Sequence, residues 1–469
     1  MLRTRTAEDD FNNQRAKIVS PTDQCLTKAL GLIGFPRTVS VVHTAGSSFH
    51  EGRRGNVAAT EVRPPSATAF RPANNPGSIG QFPHSLLDHA VTLGIITPQV
   101  IRQAGPIRGT IALLKLLFIF FPKATFQLIW TRYLTARKNR PLYIQQANVA
   151  EDFALRLLRW SAASLHPRVL RAVTSQSSAA HIVKWRAYRN GYARYNEHVQ
   201  EKVLEEGIWV RHDKNKRHDI ILLYIHGGGY AVLSAKFYVE FQLAVQSSLL
   251  DAGYENPAVF SLDYTLAPDK HFPGQLNEAV LAYKEVLAAA DADTKICVGG
   301  DSAGGMLTLT LLQELASRKL RDEPLSRHPD LAVLISPWVT LKTHLHRASD
   351  LDYIQPDTLA RFADLYTGGG GVGAYAAPAS PGSCQDEGIW EAARPARGYV
   401  ITYGEEEGLA EDIKYLIQHQ KSRGTEVRVL VDAGGVHVWP VISLQFCTTN
   451  ERRVQGIQSI VREIRSALA

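Results

Sequence analysis

Cysteine is scarce in this chain, with only four among 469 residues. Cys25, Cys297, Cys384 and Cys447 are scattered, and no pair has the spacing of a metal-binding motif. The number is too small for a disulfide scaffold, so we expect reduced or incidental thiols. With 45% hydrophobic and 21% charged residues, the chain can bury a sizeable core, which excludes wholesale disorder.

Acidic residues are missing from one long segment, since none lies between His89 and Ala150. Over residues 1–220, Lys and Arg exceed Asp and Glu by 16, whereas over residues 221–469 the acidic residues exceed the basic ones by 9. This division predicts two regions with different surroundings. A positive, apolar-rich segment is suited to an anionic membrane surface. Nucleic acid is disfavoured as a partner, because the sequence has no zinc-finger spacing and no long Lys/Arg run.

Residues 1–80 lack a sustained apolar period, and Pro, Gly and Asn cluster towards their end. We expect this region to be disordered or irregular. Its first ten residues are polar and lack the apolar core of a secretory signal, and the sequence has no Asn-x-Ser/Thr acceptor for glycosylation. These absences predict an intracellular protein without a cleavable signal peptide, in the cytoplasm or associated with the endoplasmic reticulum membrane.

Residues 81–200 are basic and apolar, and their pattern predicts a helical cap region. Its most apolar stretch is 109–130, and a transmembrane helix needs about 20 apolar residues. Lys115, Pro122 and Lys123 interrupt the stretch, so membrane contact as an interfacial helix is more plausible than a span. A helix packed on the protein's own core, near a substrate entrance, is the slightly preferred interpretation.

From about residue 208, short continuous apolar runs alternate with helical stretches. The runs cover residues 220–225, 257–262, 295–298, 331–335, 399–402 and 427–431, and helix candidates include 276–290 and 303–318. Such runs are typical of buried parallel strands. The alternation predicts an α/β domain over residues 201–469, with a doubly wound sheet and its chemistry at the carboxyl ends of the strands.

Two glycine-rich turns follow predicted strands. Residues 300–304 read Gly-Asp-Ser-Ala-Gly and lead into an apolar helix, which is the pattern of a nucleophile elbow with Ser302 on a sharp turn. Residues 226–229 read His-Gly-Gly-Gly after the first run, and consecutive glycines leave backbone N–H groups free to stabilise an oxyanion. Each motif alone is weak, but a triple glycine upstream of a serine elbow is specific for acyl-transfer chemistry.

A serine nucleophile needs a base and an orienting carboxylate downstream. His437 follows the last apolar run and is the only histidine among the final 40 residues, so it is the candidate base. The spacing leaves the acid open among five carboxylates that follow the fifth run: Glu405, Glu406, Glu407, Glu411 and Asp412.

With these motifs, and with residues 262–268 and 272–274, the chain resembles the hormone-sensitive-lipase-like branch of the α/β-hydrolases, also called the HGGG or fold-3 carboxylesterases. Within that branch it looks most like the fungal group that includes steryl acetyl hydrolases. The resemblance covers about residues 200–469. It implies an α/β-hydrolase fold, with a mostly parallel doubly wound sheet and a helical cap or lid. The lid would come from the segment before the domain and from the insert between Val339 and Arg397.

The resemblance also implies roles for single residues. Ser302 would be the nucleophile and His437 the general base. In the family's acid loop, the register between Gly404 and Leu409 selects Glu407, although the family more often has Asp there. The oxyanion N–H donors would be Gly228, Gly229 and Ala303. No metal and no organic cofactor are required.

The leading hypothesis is a serine carboxylesterase that hydrolyses short-chain, acetyl-type esters of a hydrophobic alcohol through an acyl-enzyme. Its small-molecule substrate would be a sterol ester or a fungal secondary metabolite. An acyltransferase or lactone-forming enzyme of a secondary-metabolite pathway would use the same residues. A non-catalytic small-molecule receptor is less favoured. The plant gibberellin receptors of this fold have lost the catalytic histidine, whereas this chain retains one as His437. The oligomeric state stays open.

Overall fold

The fold is described from a computed structural model, which covers residues 84–190, 198–202, 207–323, 325 and 327–469. The irregular region expected over residues 1–80 lies outside the described residues. The polypeptide that follows begins with helices and continues into a sheet that is covered by helices on both faces.

Seven α-helices precede the sheet within the described residues. They are α1 Leu86–Ala104, α2 Pro106–Lys115, α3 Phe121–Ile129, α4 Leu142–Gln146, α5 Val149–Ser164, α6 Pro167–Val173 and α7 Gln176–Arg189. Several of these helices begin at a residue whose side chain accepts a hydrogen bond from a free N–H group of the first turn. Ser85 caps α1 and Asn148 caps α5, each in a capping box with the acidic residue three positions on.

One helical run, Pro106–Leu134, is built from α2, α3 and two wider π-helical turns at Leu116–Phe120 and Trp130–Leu134. We call it the apolar helix. Pro122 does not end it, and this proline directly follows the wider π-helical turn Leu116–Phe120. By length and composition the run could cross a membrane. Only Phe120 and Ala124 are buried along it, so packing on the protein's own core is wrong for most of the stretch.

Eight strands form one sheet within the described residues, in the order β1-β2-β4-β3-β5-β6-β7-β8. Strands β3 to β8 are parallel, and β1 and β2 are antiparallel at one edge. The strands are β1 Val199–Lys202, β2 Gly207–Arg211, β3 Ile220–Ile225, β4 Ala258–Leu262, β5 Lys295–Asp301, β6 Leu331–Ile335, β7 Tyr399–Gly404 and β8 Val427–Asp432. The mostly parallel α/β-hydrolase sheet expected from the sequence is therefore confirmed.

Helices cover both faces of this sheet, as the alternation of β3 side chains requires. Ile221 and Leu223 belong to one buried cluster with residues of α9 and α10, whereas Ile220 and Leu222 belong to a second cluster with residues of α8 and α15. The helices are α8 Val239–Asp251, α9 Gly274–Ala289, α10 Ala303–Leu320, α11 Pro356–Thr367, α12 Glu387–Ala392, α13 Ala410–Ser422, α14 Trp439–Phe446 and α15 Asn450–Leu468. Both faces of the sheet are thus dry, which explains why its strands are continuous apolar runs.

Candidate active site

The residues singled out in the sequence gather at one edge of the sheet. The His-Gly-Gly-Gly turn follows β3, Ser302 follows β5, Glu407 follows β7 and His437 follows β8. Because these strands are parallel, their carboxyl ends meet at the same edge. The register places Ile225 of β3 opposite Gly300 of β5, so the two glycine-rich turns leave the sheet side by side.

Ser302 occupies a sharp turn between β5 and α10. Its backbone angles, φ 51° and ψ −118°, lie in a region that L-residues seldom adopt. The turn is held from both sides, since the Ser302 N–H donates to the Ile335 carbonyl at 3.0 Å and the Trp338 N–H donates to the Ser302 carbonyl at 2.9 Å. A Cβ at Gly304 would lie 2.0 Å from the Ile225 carbonyl oxygen, so glycine alone allows this close approach.

A chain of hydrogen bonds joins Ser302, His437 and Glu407. His437 Nε2 lies 2.8 Å from Ser302 Oγ, and His437 Nδ1 lies 3.0 Å from Glu407 Oε2. When Glu407 is ionised its carboxylate only accepts, so the imidazole proton then belongs on Nδ1, which leaves Nε2 to accept from the serine hydroxyl. All three side chains belong to buried residues, with Ser302 the most exposed at 8%.

Among the five carboxylates that the sequence leaves open, Glu407 is the one placed against His437. Glu411 pairs with a lysine one turn further along α13. Asp412 is buried and accepts two hydrogen bonds from Thr340, one from its N–H and one from its hydroxyl. The other two carboxylates lie in the turn after β7, one exposed and one half-buried.

Burial sets the ionisation of this pair. It raises the pKa of Glu407, and a serine hydroxyl and two backbone N–H groups counteract the rise. It lowers the pKa of His437, an effect partly offset by the negative charges of Asp352 and Asp301. A lowered pKa keeps the imidazole of His437 uncharged near neutral pH, and the uncharged form can accept the proton of Ser302.

Asp301 links the elbow to the His-Gly-Gly-Gly turn. Its buried carboxylate accepts hydrogen bonds from the Gly227 N–H at 2.9 Å and from the hydroxyls of Tyr224 and Tyr238, both at 2.7 Å. Burial raises the pKa of Asp301, and these three donors oppose that rise. Asp301 therefore fixes the triple-glycine turn relative to its neighbour, Ser302.

With the Gly227 N–H occupied, the next amides remain available. Among the described residues, the N–H groups of Gly228, Gly229 and Ala303 donate to no protein acceptor. Gly228 and Gly229 have φ of +105° and +59°, conformations that favour glycine. Ala303 is the first residue of α10, where the partial positive charge of the helix terminus favours an anion. The two turns thus present free donors of the kind that an oxyanion requires.

A further carboxylate, Asp352, contacts the loop of Glu407 and the loop of His437 and was not foreseen in the sequence. Its Oδ1 accepts from the His437 N–H at 3.1 Å, and its Oδ2 accepts from the Gly408 N–H at 2.9 Å. Asp352 is fully buried, and burial raises its pKa to about 6. The neighbouring Tyr353 ring lies 5.6 Å from the His437 ring. An aspartate in a long insert has no local pattern that would reveal this role.

Two segments cover the site. Phe362 of α11 packs so closely on the triple-glycine turn that a Cβ at Gly229 would lie 2.2 Å from its ring. Arg361 of the same helix donates to the Ala162 carbonyl of α5. The insert between β6 and β7 therefore packs on the triple-glycine turn and also contacts one of the helices that precede the sheet. No cluster of three His, Cys, Asp or Glu side chains that could hold a metal occurs within the described residues.

Comparison with known proteins agrees with this fold. A family model described as alpha/beta hydrolase fold matches residues 222–441. An acetyl-hydrolase of Streptomyces hygroscopicus is 31% identical over 235 residues, which are 49% of this chain and 71% of that protein. Neutral cholesterol ester hydrolase 1 of Pongo abelii is 37% identical over 124 residues, which are 25% of this chain and only 28% of that protein.

A solved structure gives the same result over a longer stretch. A hormone-sensitive lipase from a metagenome library has a TM-score of 0.51 and 25% sequence identity, with 69% of this chain and 100% of that chain covered. The residues matched by the family model contain β4 to β8, most of β3 and both glycine-rich turns. The chain belongs to the α/β-hydrolase fold family and, within it, to the hormone-sensitive-lipase-like carboxylic ester hydrolases.

Proposed function

We propose that the chain is a serine carboxylesterase that removes a short, acetyl-type acyl group from a hydrophobic alcohol. The observation that carries this proposal is the hydrogen-bonded chain from Glu407 through His437 to Ser302, with the serine on a strained turn. The chain's similarity to an acetyl-hydrolase and to a cholesterol ester hydrolase supports a short acyl group and a sterol-like alcohol.

The reaction would proceed in two halves. In the first, Ser302 Oγ attacks the ester carbonyl while His437 Nε2 takes the hydroxyl proton. The oxyanion that forms accepts hydrogen bonds from the backbone N–H groups of Gly228, Gly229 and Ala303. The C–O bond to the alcohol then breaks, and the imidazolium returns its proton to the leaving alkoxide. In the second half, His437 deprotonates a water molecule that attacks the acyl-enzyme. The carboxylic acid leaves, and the proton returns to Ser302.

The buried surroundings favour these steps over passive binding. Glu407 lies in dry surroundings against the imidazole, where its charge stabilises the imidazolium that forms during attack. The free N–H groups are fixed in advance by Asp301, so little reorganisation is needed when negative charge develops. A protein that only binds a small molecule would not need a serine that is activated in this way.

The test is hydrolysis of p-nitrophenyl acetate, butyrate and decanoate by the wild type and by Ser302→Ala. A matched control is Ser422→Ala, which removes an exposed hydroxyl at the end of α13. We expect activity to vanish in Ser302→Ala and to persist in Ser422→Ala, with acetate and butyrate preferred over decanoate. Equal rates for wild type and Ser302→Ala on every ester would reject hydrolysis and favour an acyltransferase with a demanding acceptor.

A further inference from the structure

The apolar helix projects large apolar side chains into solvent. A soluble monomer rarely exposes so much contiguous apolar surface, so this surface needs a partner. The side chains that are at least 41% exposed are Ile107, Ile111, Leu113, Leu114, Leu117, Phe118, Ile119, Phe121, Phe126, Ile129, Trp130, Tyr133 and Leu134.

Charge points to the kind of partner. The helix lies in the segment from His89 to Ala150 that has no acidic residue, and basic residues occur before it, within it and after it. A second copy of the chain would bring like charges together. An anionic phospholipid surface provides both an apolar interior and opposite charge. The basic residues of the segment are Arg102, Arg108, Lys115, Lys123, Arg132, Arg137, Lys138 and Arg140.

The second half of the helix is attached to α5 by buried polar contacts. Asp152 of α5 accepts from Arg132 and from Arg156, both at 2.8 Å. Arg156 also donates to Gln127 at 3.2 Å and to Thr131 at 3.1 Å. A helix that crossed the bilayer alone would have to break this network or take α5 with it.

The first half of the apolar helix is poorly suited to cross a membrane by itself. A span needs about 20 residues, which is the length from Pro106 to the first attached residue, Gln127. Lys115 would then lie near the middle of the hydrocarbon, where a charged side chain is costly. Phe120, in the same segment, already packs on Phe153 and Trp160, with ring centroids 5.5 and 5.2 Å away.

A cavity of about 530 Å³ lies beneath the helix, between it and α5. Its wall combines apolar and charged side chains of the helix and of α5: Phe126, Trp130, Leu155 and Trp160 with Lys123, Asp152, Arg156 and Arg159. On the side of the insert the cavity is lined by Asp350 and Leu351, two residues before Tyr353, whose ring lies beside His437. Neither Ser302 nor His437 belongs to its lining, so a substrate would have to pass Tyr353 to reach them. The volume is that of a pocket for a ligand of drug-like size.

We propose that the apolar helix is embedded in one leaflet of an anionic bilayer without crossing it. The cavity beneath the helix then delivers a hydrophobic ester from this leaflet to His437 and Ser302. The first half of the proposal stands on the helix alone. The second half rests on the proposed esterase function and adds the route of the substrate.

Binding is tested by sedimentation with vesicles of phosphatidylcholine alone or mixed with phosphatidylserine. The variant Leu114→Asp/Phe118→Asp places two charges on one side of the exposed helix. Its control, Leu281→Asp/Leu320→Asp, changes two similarly exposed leucines of α9 and α10. We expect wild type and control to bind the anionic vesicles, and the helix variant to bind about tenfold or more weakly. Equal binding by both variants would overturn the proposal.

Topology is tested with Arg102→Cys and Lys138→Cys, one on each side of the helix. The full chain is expressed in cells, and sealed membranes are treated with a thiol reagent that cannot cross them. The unsubstituted chain serves as the background for its own cysteines. We expect both positions to react from the same side. Reaction from opposite sides would show a span and contradict the proposal.

Delivery is tested by activity towards two forms of ester. The helix variant should hydrolyse soluble p-nitrophenyl acetate at the wild-type rate, and an apolar ester embedded in anionic vesicles about tenfold or more slowly. Unchanged rates on the embedded ester would reject delivery through the helix. If the wild type hydrolyses neither ester, the esterase function and the delivery route both fail, whereas vesicle binding still decides the position of the helix.

Discussion

The carboxylate of Asp352 accepts a hydrogen bond from the backbone N–H of His437 at 3.1 Å, although 85 residues separate them in the sequence. Its second oxygen accepts the Gly408 N–H, next to Glu407. One buried side chain therefore holds the loop of the base and the loop of the acid at a fixed separation. We regard Asp352 as a positioning residue, since its contacts are with backbone groups of these loops.

Replacing Asp352 by Asn should loosen this arrangement. The amide NH2 of Asn cannot accept, so one buried N–H loses its partner, at a cost of about 1–3 kcal/mol in stability. We expect kcat to fall about tenfold to a hundredfold, because small misplacements of catalytic groups are costly. Steady-state kinetics and a melting curve measure both effects. Asp293→Asn, a change at an exposed aspartate outside the site, is the control and should behave like wild type.

The pH profile separates positioning from simple loss of structure. Burial lowers the pKa of His437, and the negative charge of Asp352 raises it. His437 must be unprotonated to act as a base, so kcat/KM should rise with pH along an acid limb below the ordinary histidine value of about 6.5. In Asp352→Asn the limb should move to still lower pH. A wild-type limb above pH 7, or an unmoved limb in the variant, would contradict this assignment.

Glu407→Gln tests the identity of the acid. The amide of Gln would present an N–H to His437 Nδ1 and favour the wrong tautomer, so we expect kcat to fall about 10³- to 10⁴-fold. Glu411→Gln, a neighbouring carboxylate paired with lysine on α13, is the matched control and should retain activity. Survival of a tenth or more of the activity in Glu407→Gln would assign the acid to another residue.

Gly229→Ala tests the oxyanion turn. The new Cβ would lie 2.2 Å from the Phe362 ring, at a residue whose φ of +59° is already unfavourable for alanine. Displacement of this N–H should lower kcat about 10²- to 10³-fold, the cost of losing one oxyanion donor. Gly371→Ala, where nothing lies within 4 Å of the added Cβ and φ is −61°, is the control. If kcat is the same in the two variants, the turn does not supply the donor.

The apolar runs of the sequence predicted the central strands well. All six runs became strands, because parallel strands buried on both faces leave an unmistakable continuous pattern. The antiparallel edge was not predicted, and β1 begins at Val199, at the very end of the region 81–200 for which helices are predicted. The short strand β1 reads Val-Gln-Glu-Lys, which has too few apolar residues to be recognised as a strand.

In the site too, residues within a local sequence pattern were predicted and residues without one were missed. Ser302 and His437 stand in turns with distinctive neighbours, and the resemblance selected Glu407 from five carboxylates that spacing could not separate. Asp352 escaped notice because its role is created by long-range folding. The exposure of the apolar helix also depends on tertiary packing, so the sequence left membrane contact and internal packing as alternatives. The boundaries of the regions and the cellular location stay predictions.

The most direct test of the account is covalent labelling of the nucleophile. An activated serine should attack the phosphorus of a fluorophosphonate. The reagent then loses its fluoride, and one phosphonyl group stays on Ser302 Oγ. Peptide mapping by mass spectrometry should find one label per chain on the peptide containing Ser302, and esterase activity should fall in proportion to labelling. An unlabelled Ser302, or full activity after its complete modification, would contradict the assignment of Ser302 as the nucleophile.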